Sequence, residues 1–507
     1  MYAQPRPFRR FRYLVALVAL SLPAAGSAQA GPEDRFEGAR TVIRQLMDER
    51  AIPSVAVAAS QGGHIVWEEG FGWADRERRI RATSRTLYSL ASISKPITAT
   101  GLMVLAQRGR AALDRPANDY LGASKLRAME GDADDATLRR LLSHTAGLPL
   151  HYRFFYEDRP PARPTMDETI ARYGILVTPP GTLFEYSNLG FGILDQVIER
   201  TAGIPYEEFM RREVFAPLGL TGMSVLTGPE PGDLVARRYD PDGARIPWYD
   251  FDHRGASAVY SSAHDLARFG MFHLKDHLAD QQRILPDSVL DTMHQALVRR
   301  AEDVGYGLGW QTFTNDHGFT SLGHSGGMPG VSTLLRIYPE TDVAVVVLLN
   351  TSDGGAMGRM AEAVAAALMP RYADHLREAD TRGPTSSEAV RFAPPPGLEG
   401  EWEGEVRSPL GVLALRLVVL SGGEVRATLG GDREVAVEDP RWRDGILSGT
   451  VPAVIPTPDV ARQPNALGLR LRLHQGRLSG AVSALASSDR LYYALSSYAT
   501  LTPGRHR

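Results

Sequence analysis

The chain has 507 residues, 43% hydrophobic and 23% charged, with 50 glycines and 34 prolines, a globular balance that excludes disorder, collagen and coiled coil for the whole. Lys plus Arg (56) nearly matches Asp plus Glu (59), so no overall field favours nucleic acid or anionic membranes. Cysteine is absent, which removes thiol catalysis, thiolate metal sites and disulfides.

Arg6, Arg9, Arg10 and Arg12 precede an apolar run from Tyr13 to Ala25, and Ala28-Gln29-Ala30 follows before Gly31. A basic region, a short apolar region and an A-x-A site predict a secretory signal peptide over residues 1–30, cut after Ala30. Its removal takes away four arginines and no acid, moving the formal net charge from −3 to −7. No later stretch approaches the roughly 18 apolar residues a membrane span needs. A periplasmic or secreted protein with no stable membrane span is therefore expected.

Glu33 to Glu49 repeats its apolar residues with helical spacing. Val55–Ala59 and His64–Gly72 read as strands joined through Gly62-Gly63. Residues 98 to 220 read as mostly helical. Strands return at Phe319–Gly323, Ser332–Tyr338 and Val343–Asn350, and an Ala-rich helix follows over Met357–Met369. An N-terminal helix and hairpin with late antiparallel strands predict one α+β domain, residues 31–372, whose chain ends share a sheet flanked by helices, with a mainly helical subdomain. Residues 373–397 are polar and end in Pro394-Pro395-Pro396-Gly397, a predicted linker. From 398 to 507 short β-type runs alternate with glycine turns, predicting a small all-β barrel or lipocalin-like domain.

Three segments can carry chemistry. Ala91-Ser92-Ile93-Ser94-Lys95-Pro96 opens a helical run, so Ser92 and Lys95 share a face one turn apart. A helix start favours developing negative charge and disfavours a protonated amine, so a buried Lys95 can accept the serine proton. A capping serine and a surface lysine are the plain alternative. Tyr186-Ser187-Asn188 precedes a helix from about Phe191 to Thr201: a phenol to relay a proton and a carboxamide to hold substrate or lysine, unless Asn188 simply caps the helix. Gly323-His324-Ser325-Gly326-Gly327 ends a predicted strand. There the Gly327 and Ser92 N–H groups can form an oxyanion site, and His324 can bond a substrate carboxylate or the Ser/Tyr network.

Ser-x-x-Lys, Tyr-x-Asn and a His-x-Gly triplet, in that order, resemble the class C β-lactamase-like serine hydrolases related to penicillin-binding proteins. Leu141 to Pro149, Pro217 to Leu220, Gly255 to Gly270 and Tyr306 to Trp310 look like the same family. The resemblance implies Ser92 as acylated nucleophile, Lys95 and Tyr186 as the proton-transfer pair, and Asn188, His324, Ser325, Gly326 and Gly327 as substrate-binding residues. It implies no cofactor and no metal. Where many β-lactamases of this group carry Lys-Thr-Gly, this chain has His324-Ser325-Gly326, similar to D-aminopeptidase-like and esterase-like relatives. The expected activity is therefore hydrolysis of amides or esters, D-amino-acid peptides or cell-wall fragments foremost. A class C-type β-lactamase or carboxylesterase and a non-turnover penicillin-binding sensor are the alternatives. Gly323 to Gly327 also fits a Gly-x-Ser-x-Gly elbow, but Pro329 and a β-type run follow where that motif needs a helix. His273 and His277 lack the glutamate of a His-Glu-x-x-His zinc motif.

Overall fold

A computed structural model describes residues 34–158, 162–228, 232–382, 392–459, 466–488 and 491–504. The predicted signal peptide lies outside them. Among the described residues no helix is long and apolar enough to cross a membrane.

The centre of the molecule is a nine-stranded sheet. In spatial order its strands are Val298–Ala301, Val304–Tyr306, Gln311–Asp316, Phe319–Met328, Val331–Tyr338, Val343–Leu349, Ser54–Gln61, His64–Asp75 and Ile80–Arg81. The N-terminal hairpin joins the late strands through Ser54–Gln61, which runs antiparallel to Val343–Leu349 with Val55 opposite Leu349 and Gln61 opposite Val343. These two strands are apolar almost throughout because both faces are covered. Val55, Val57 and Ala59 pack with Ile43 and Leu46 of the helix Glu37–Glu49 and with Met357, Met360 and Val364 of the helix Gly354–Leu368. Ala56 and Ala58 face the opposite core with Leu266 and Phe269 of the helix Ala263–Leu274. Each buried valine or leucine contributes about 1.5–3 kcal/mol, so the register that brings the chain ends together is strongly specified.

The hairpin turns at Gly62 and Gly63, both at positive φ (61° and 73°), which glycine adopts without a Cβ clash. Two expected boundaries shift. The strand expected to stop at Gly323 continues to Met328, because its pairing with Val331–Tyr338 runs on through Gly327 opposite Ser332. The helix Pro370–Arg382 occupies the start of the predicted linker; its Tyr372 is buried against Phe319 and Tyr338.

The C-terminal part is a nearly closed antiparallel barrel. Its strands include Gly400–Ser408, Gly411–Val419, Val425–Leu429, Ile446–Val451, Ala466–His474, Arg477–Ser488 and Leu491–Pro503. Alternate residues such as Trp402, Val406, Leu415, Leu417, Leu469 and Leu471 fill its interior. The barrel is joined to the rest by strand addition: Tyr493 and Ala494 pair with Arg153 and Tyr152 of the strand Tyr152–Tyr156. Tyr492 stacks on Tyr152 and Phe154 at 5.1 and 4.9 Å. Asp459 takes ion pairs from Arg153 and Arg172.

Candidate active site

The helix Ser94–Gln107 is buried from Ser94 to Leu105, an apolar rod through the core rather than an amphipathic surface element. A single 3₁₀ turn, Ala91–Ile93, leads into it and carries Ser92, so Ser92 sits just before the helix expected to begin with it. Ala91 has a left-handed backbone (φ 47°), a conformation that costs a non-glycine residue of order 1–3 kcal/mol and persists only where surroundings enforce it. The enforcing contacts are visible. Leu90 N–H donates to Val259 O at 2.9 Å, Thr333 Oγ1 donates to Leu90 O at 2.9 Å, and Val259 N–H donates to Ser94 Oγ at 3.1 Å. Pro96 lies in the first helical turn, where a missing N–H costs nothing.

Lys95 is completely buried while Ser92 is half-buried. The amine nitrogen lies 3.1 Å from Ser92 Oγ, 2.8 Å from Asn188 Oδ1 and 3.3 Å from the Ala256 carbonyl oxygen. Burial drives its pKa well below the ordinary lysine value, favouring the neutral amine. A neutral amine has two N–H bonds and one lone pair. Asn188 Oδ1 and Ala256 O accept the two hydrogens, which leaves the lone pair facing the Ser92 hydroxyl. The same nitrogen sits 4.7 Å from the centre of the Tyr186 ring. Burial raises the Tyr186 pKa, with the neighbouring Ser92 hydroxyl working the other way, so the phenol stays protonated. Serine, amine and phenol thus meet at one point.

Ser187, not Asn188, caps the helix Asn188–Ala202, its hydroxyl accepting from Gly190 N–H at 3.4 Å. That frees the Asn188 amide to hold the lysine. The Ala256 carbonyl is presented by a short helix, Arg254–Ser257. Buried Asp195 fixes it, taking Arg254 at 2.9 Å on one oxygen and Gly255 N–H at 2.8 Å on the other.

The strand Phe319–Met328 closes the opposite wall. His324 is buried, its Nε2 at 3.2 Å from the Tyr306 hydroxyl and its Nδ1 at 2.7 Å from Ser325 O. Both ring nitrogens are therefore engaged within the protein. Burial, then the nearby Lys95, pushes its pKa down to about 3. A neutral ring with two partners has no donor left for a substrate carboxylate; of the two roles expected of His324, only membership of the polar network fits. Ser325 and Gly327 lie on the exposed face of the strand. Gly326 is pressed against the serine turn: a Cβ there would stand 2.2 Å from Leu90 O and 2.3 Å from Thr333 Oγ1.

Several side chains join this site without having been singled out from the sequence. His144, another non-glycine residue at positive φ (57°), accepts Ser187 N–H on Nδ1 at 3.1 Å and lies 4.4 Å from the Tyr186 ring. It falls inside the Leu141–Pro149 stretch, so a signal was present. Exposed Arg300 stacks over Phe184 at 4.7 Å, on the outer edge of the sheet beside Tyr306. Glu185 is met by Arg470 of the barrel. Nothing local marks Arg300, Glu185 or Arg470.

One group among the described residues has the composition of a metal site: His151, Asp252 and His253, all buried. The Asp252 carboxylate lies 2.8 Å from His151 Nε2 and 2.7 Å from His253 Nδ1. These are hydrogen-bond lengths, while His151 Nδ1 and His253 Nε2 have no hydrogen-bond partner among the described residues.

A sequence model of the family described as Beta-lactamase matches residues 39–369. The chain belongs to the Beta-lactamase family. This β-lactamase-family chain is 25% identical over 320 residues to penicillin-binding protein 4* of Bacillus subtilis (strain 168), covering 59% of this chain and 68% of that one. Its fold is similar to that of the octameric penicillin-binding protein homologue from Pyrococcus abyssi (TM-score 0.57, 22% identity), over 92% of this chain and 99% of that one. It is also similar to the class C β-lactamase from Rhodobacter sphaeroides (TM-score 0.54, 21% identity), over 68% and 99%. Members of this family are serine hydrolases, and so is this enzyme.

Proposed function

We propose that Ser92 is the nucleophile of an exported hydrolase that works through an acyl-enzyme. Lys95 takes the Ser92 proton as the hydroxyl oxygen attacks the substrate carbonyl. Tyr186 gives its phenolic proton to the leaving group and is reprotonated from Lys95, and the steps run in reverse with water to release the acid. Ser92 and Gly327 N–H groups polarise the carbonyl oxygen, while Asn188 and the strand Phe319–Met328 align the substrate. The observation that carries this reading is the saturated environment of the Lys95 amine, with two carbonyl oxygens for its hydrogens and a serine hydroxyl 3.1 Å from its nitrogen.

The substrate class is an amide or ester, with D-amino-acid peptides or cell-wall fragments foremost. Absence of a lysine at position 324, and the full occupation of the His324 ring, weigh against an efficient β-lactamase. Residues 1–30 direct export and are removed. Residues 31–372 carry the hydrolase and 398–507 form the barrel domain.

The test is a panel of nitrocefin, short acyl esters and D-amino-acid amides with the purified chain, alongside a fluorophosphonate label. The expected result is turnover of esters or D-amino-acid amides above nitrocefin and a label on Ser92. Ser92→Ala should abolish both with an unchanged circular dichroism spectrum; full activity in Ser92→Ala would end the reading. A stable penicilloyl adduct without product would favour the sensor alternative.

A further inference from the structure

We propose that Arg470, from the C-terminal barrel, is a positioning residue for Tyr186, so that the barrel is part of the apparatus for acylation rather than an appended module. The proposal rests on the reading of Tyr186 as a proton-transfer group.

Tyr186 belongs to a segment with few restraints of its own. Two backbone bonds flank it, Glu185 N–H to His144 O at 2.8 Å and Ser187 N–H to His144 Nδ1 at 3.1 Å. Both end on one residue. Beyond the Ser187 cap and the packing of the Tyr186 ring, the segment is anchored by the Glu185 side chain, only 9% exposed, whose two oxygens lie 2.9 and 2.7 Å from Arg470 Nε. Adjacent residues on an extended segment point to opposite sides: Tyr186 turns to Ser92 while Glu185 turns to the barrel. A carboxylate this buried is stable only while paired. Without Arg470 it must turn outward to water, and the peptide it shares with Tyr186 turns with it.

The rest of the interface keeps Arg470 in place. Arg470 sits mid-strand in Ala466–His474, opposite Ala481. Ala481 and Tyr498 pack against Ile175 and Val177. The Tyr498 hydroxyl donates to Glu130 at 2.9 Å, and the Ser496 hydroxyl to Leu150 O at 2.6 Å. These contacts reach the chain on both sides of the His144 loop. A guanidinium mounted on such a strand defines one position for Glu185.

The test is a double-mutant cycle in the full-length chain, reading the rate of Ser92 acylation by a short alkyl acyl ester, whose leaving alkoxide takes up a proton. Arg470→Gln should slow acylation about tenfold or more, the scale of a catalytic group displaced by a fraction of an ångström, with Arg470→Lys intermediate. In a Tyr186→Phe background Arg470→Gln should have no further effect, because the group it positions is gone. An equal loss in both backgrounds, or an unchanged rate in Arg470→Gln, overturns the proposal. Should Arg470→Gln fail to fold, Glu185→Gln enters the same cycle with the same expectations. If Tyr186→Phe itself acylates at the full rate, the reading of Tyr186 falls first and the positioning role with it.

Discussion

The two halves of the candidate site are built in opposite ways. Ser92 and Lys95 are three residues apart on a turn running into a helix, and the distant strands contribute only the bracing of that turn through Val259, Thr333 and Gly326. Tyr186 reaches the same point only through contacts of long sequence range: His144 43 residues from Ser187, and Arg470 285 residues from Glu185. The local half closes a short loop and needs only its turn braced, whereas the distant half depends on packing that must first be completed. A nucleophile and base fixed locally can stay constant while the proton relay and cleft walls vary with loops and appended domains.

This contrast predicts unequal losses. Lys95→Met removes the base and should slow Ser92 acylation by about 10³–10⁴, whereas Tyr186→Phe leaves serine and base in place and should cost about 10². Pre-steady-state turnover of a short alkyl acyl ester measures both. A larger loss in Tyr186→Phe would mean that the distant half supplies the base, and the division of labour would be inverted.

A second substitution probes where the halves touch. Gly326→Ala would put a Cβ 2.2 Å from Leu90 O and 3.0 Å from the Ala91 Cβ, forcing the strand away from the strained turn before Ser92. Destabilisation of about 1–3 kcal/mol is expected, with acylation reduced by up to about 10²-fold from the displaced serine. Gly327→Ala, whose Cβ meets nothing within 4 Å, is the control for stability only, since Gly327 lies in the proposed oxyanion site. Equal stability of the two variants would show that the strand does not brace the serine turn.

The same contrast explains what could be read from the sequence. The hairpin at Gly62-Gly63, the late strands and the Ser92–Lys95 pair rest on short-range chemistry, and each is where spacing placed it. Errors arose where neighbours decide. Glycines at 326 and 327 suggested a strand end, yet pairing with Ser332 and Thr333 extends the strand beyond them. The Asn188 amide meets Lys95, one of the two roles read for it, and the capping that was its plain alternative falls to Ser187. Of the two roles read for His324, the substrate carboxylate or the polar network, its bonds to the Tyr306 hydroxyl and Ser325 O favour the network. The Ala256 carbonyl, Arg300 and the Glu185–Arg470 pair carry no local mark, since a backbone oxygen or a lone charge acquires meaning only from what the fold sets beside it.

The local half should also reveal itself through stability. Burial lowers the Lys95 pKa well below 10.5 in the folded chain, while the unfolded chain keeps the ordinary value. Between the two, the unfolded state binds one proton more than the folded state, so folding releases a proton and Lys95 opposes folding. Stability from this group therefore rises with pH across that window, by about 1.4 kcal/mol per pH unit, and levels off above the unfolded value. Methionine carries a similar length without a charge to desolvate. Lys95→Met should thus be inactive yet more resistant to urea than the wild type at pH 7, and the difference should shrink as pH rises toward 10. Urea titrations at pH 7 and 9.5 measure it. A Lys95→Met chain less stable than wild type at both pH values would mean that the bonds to Asn188 and Ala256 outweigh desolvation, and that the amine stays charged in the fold.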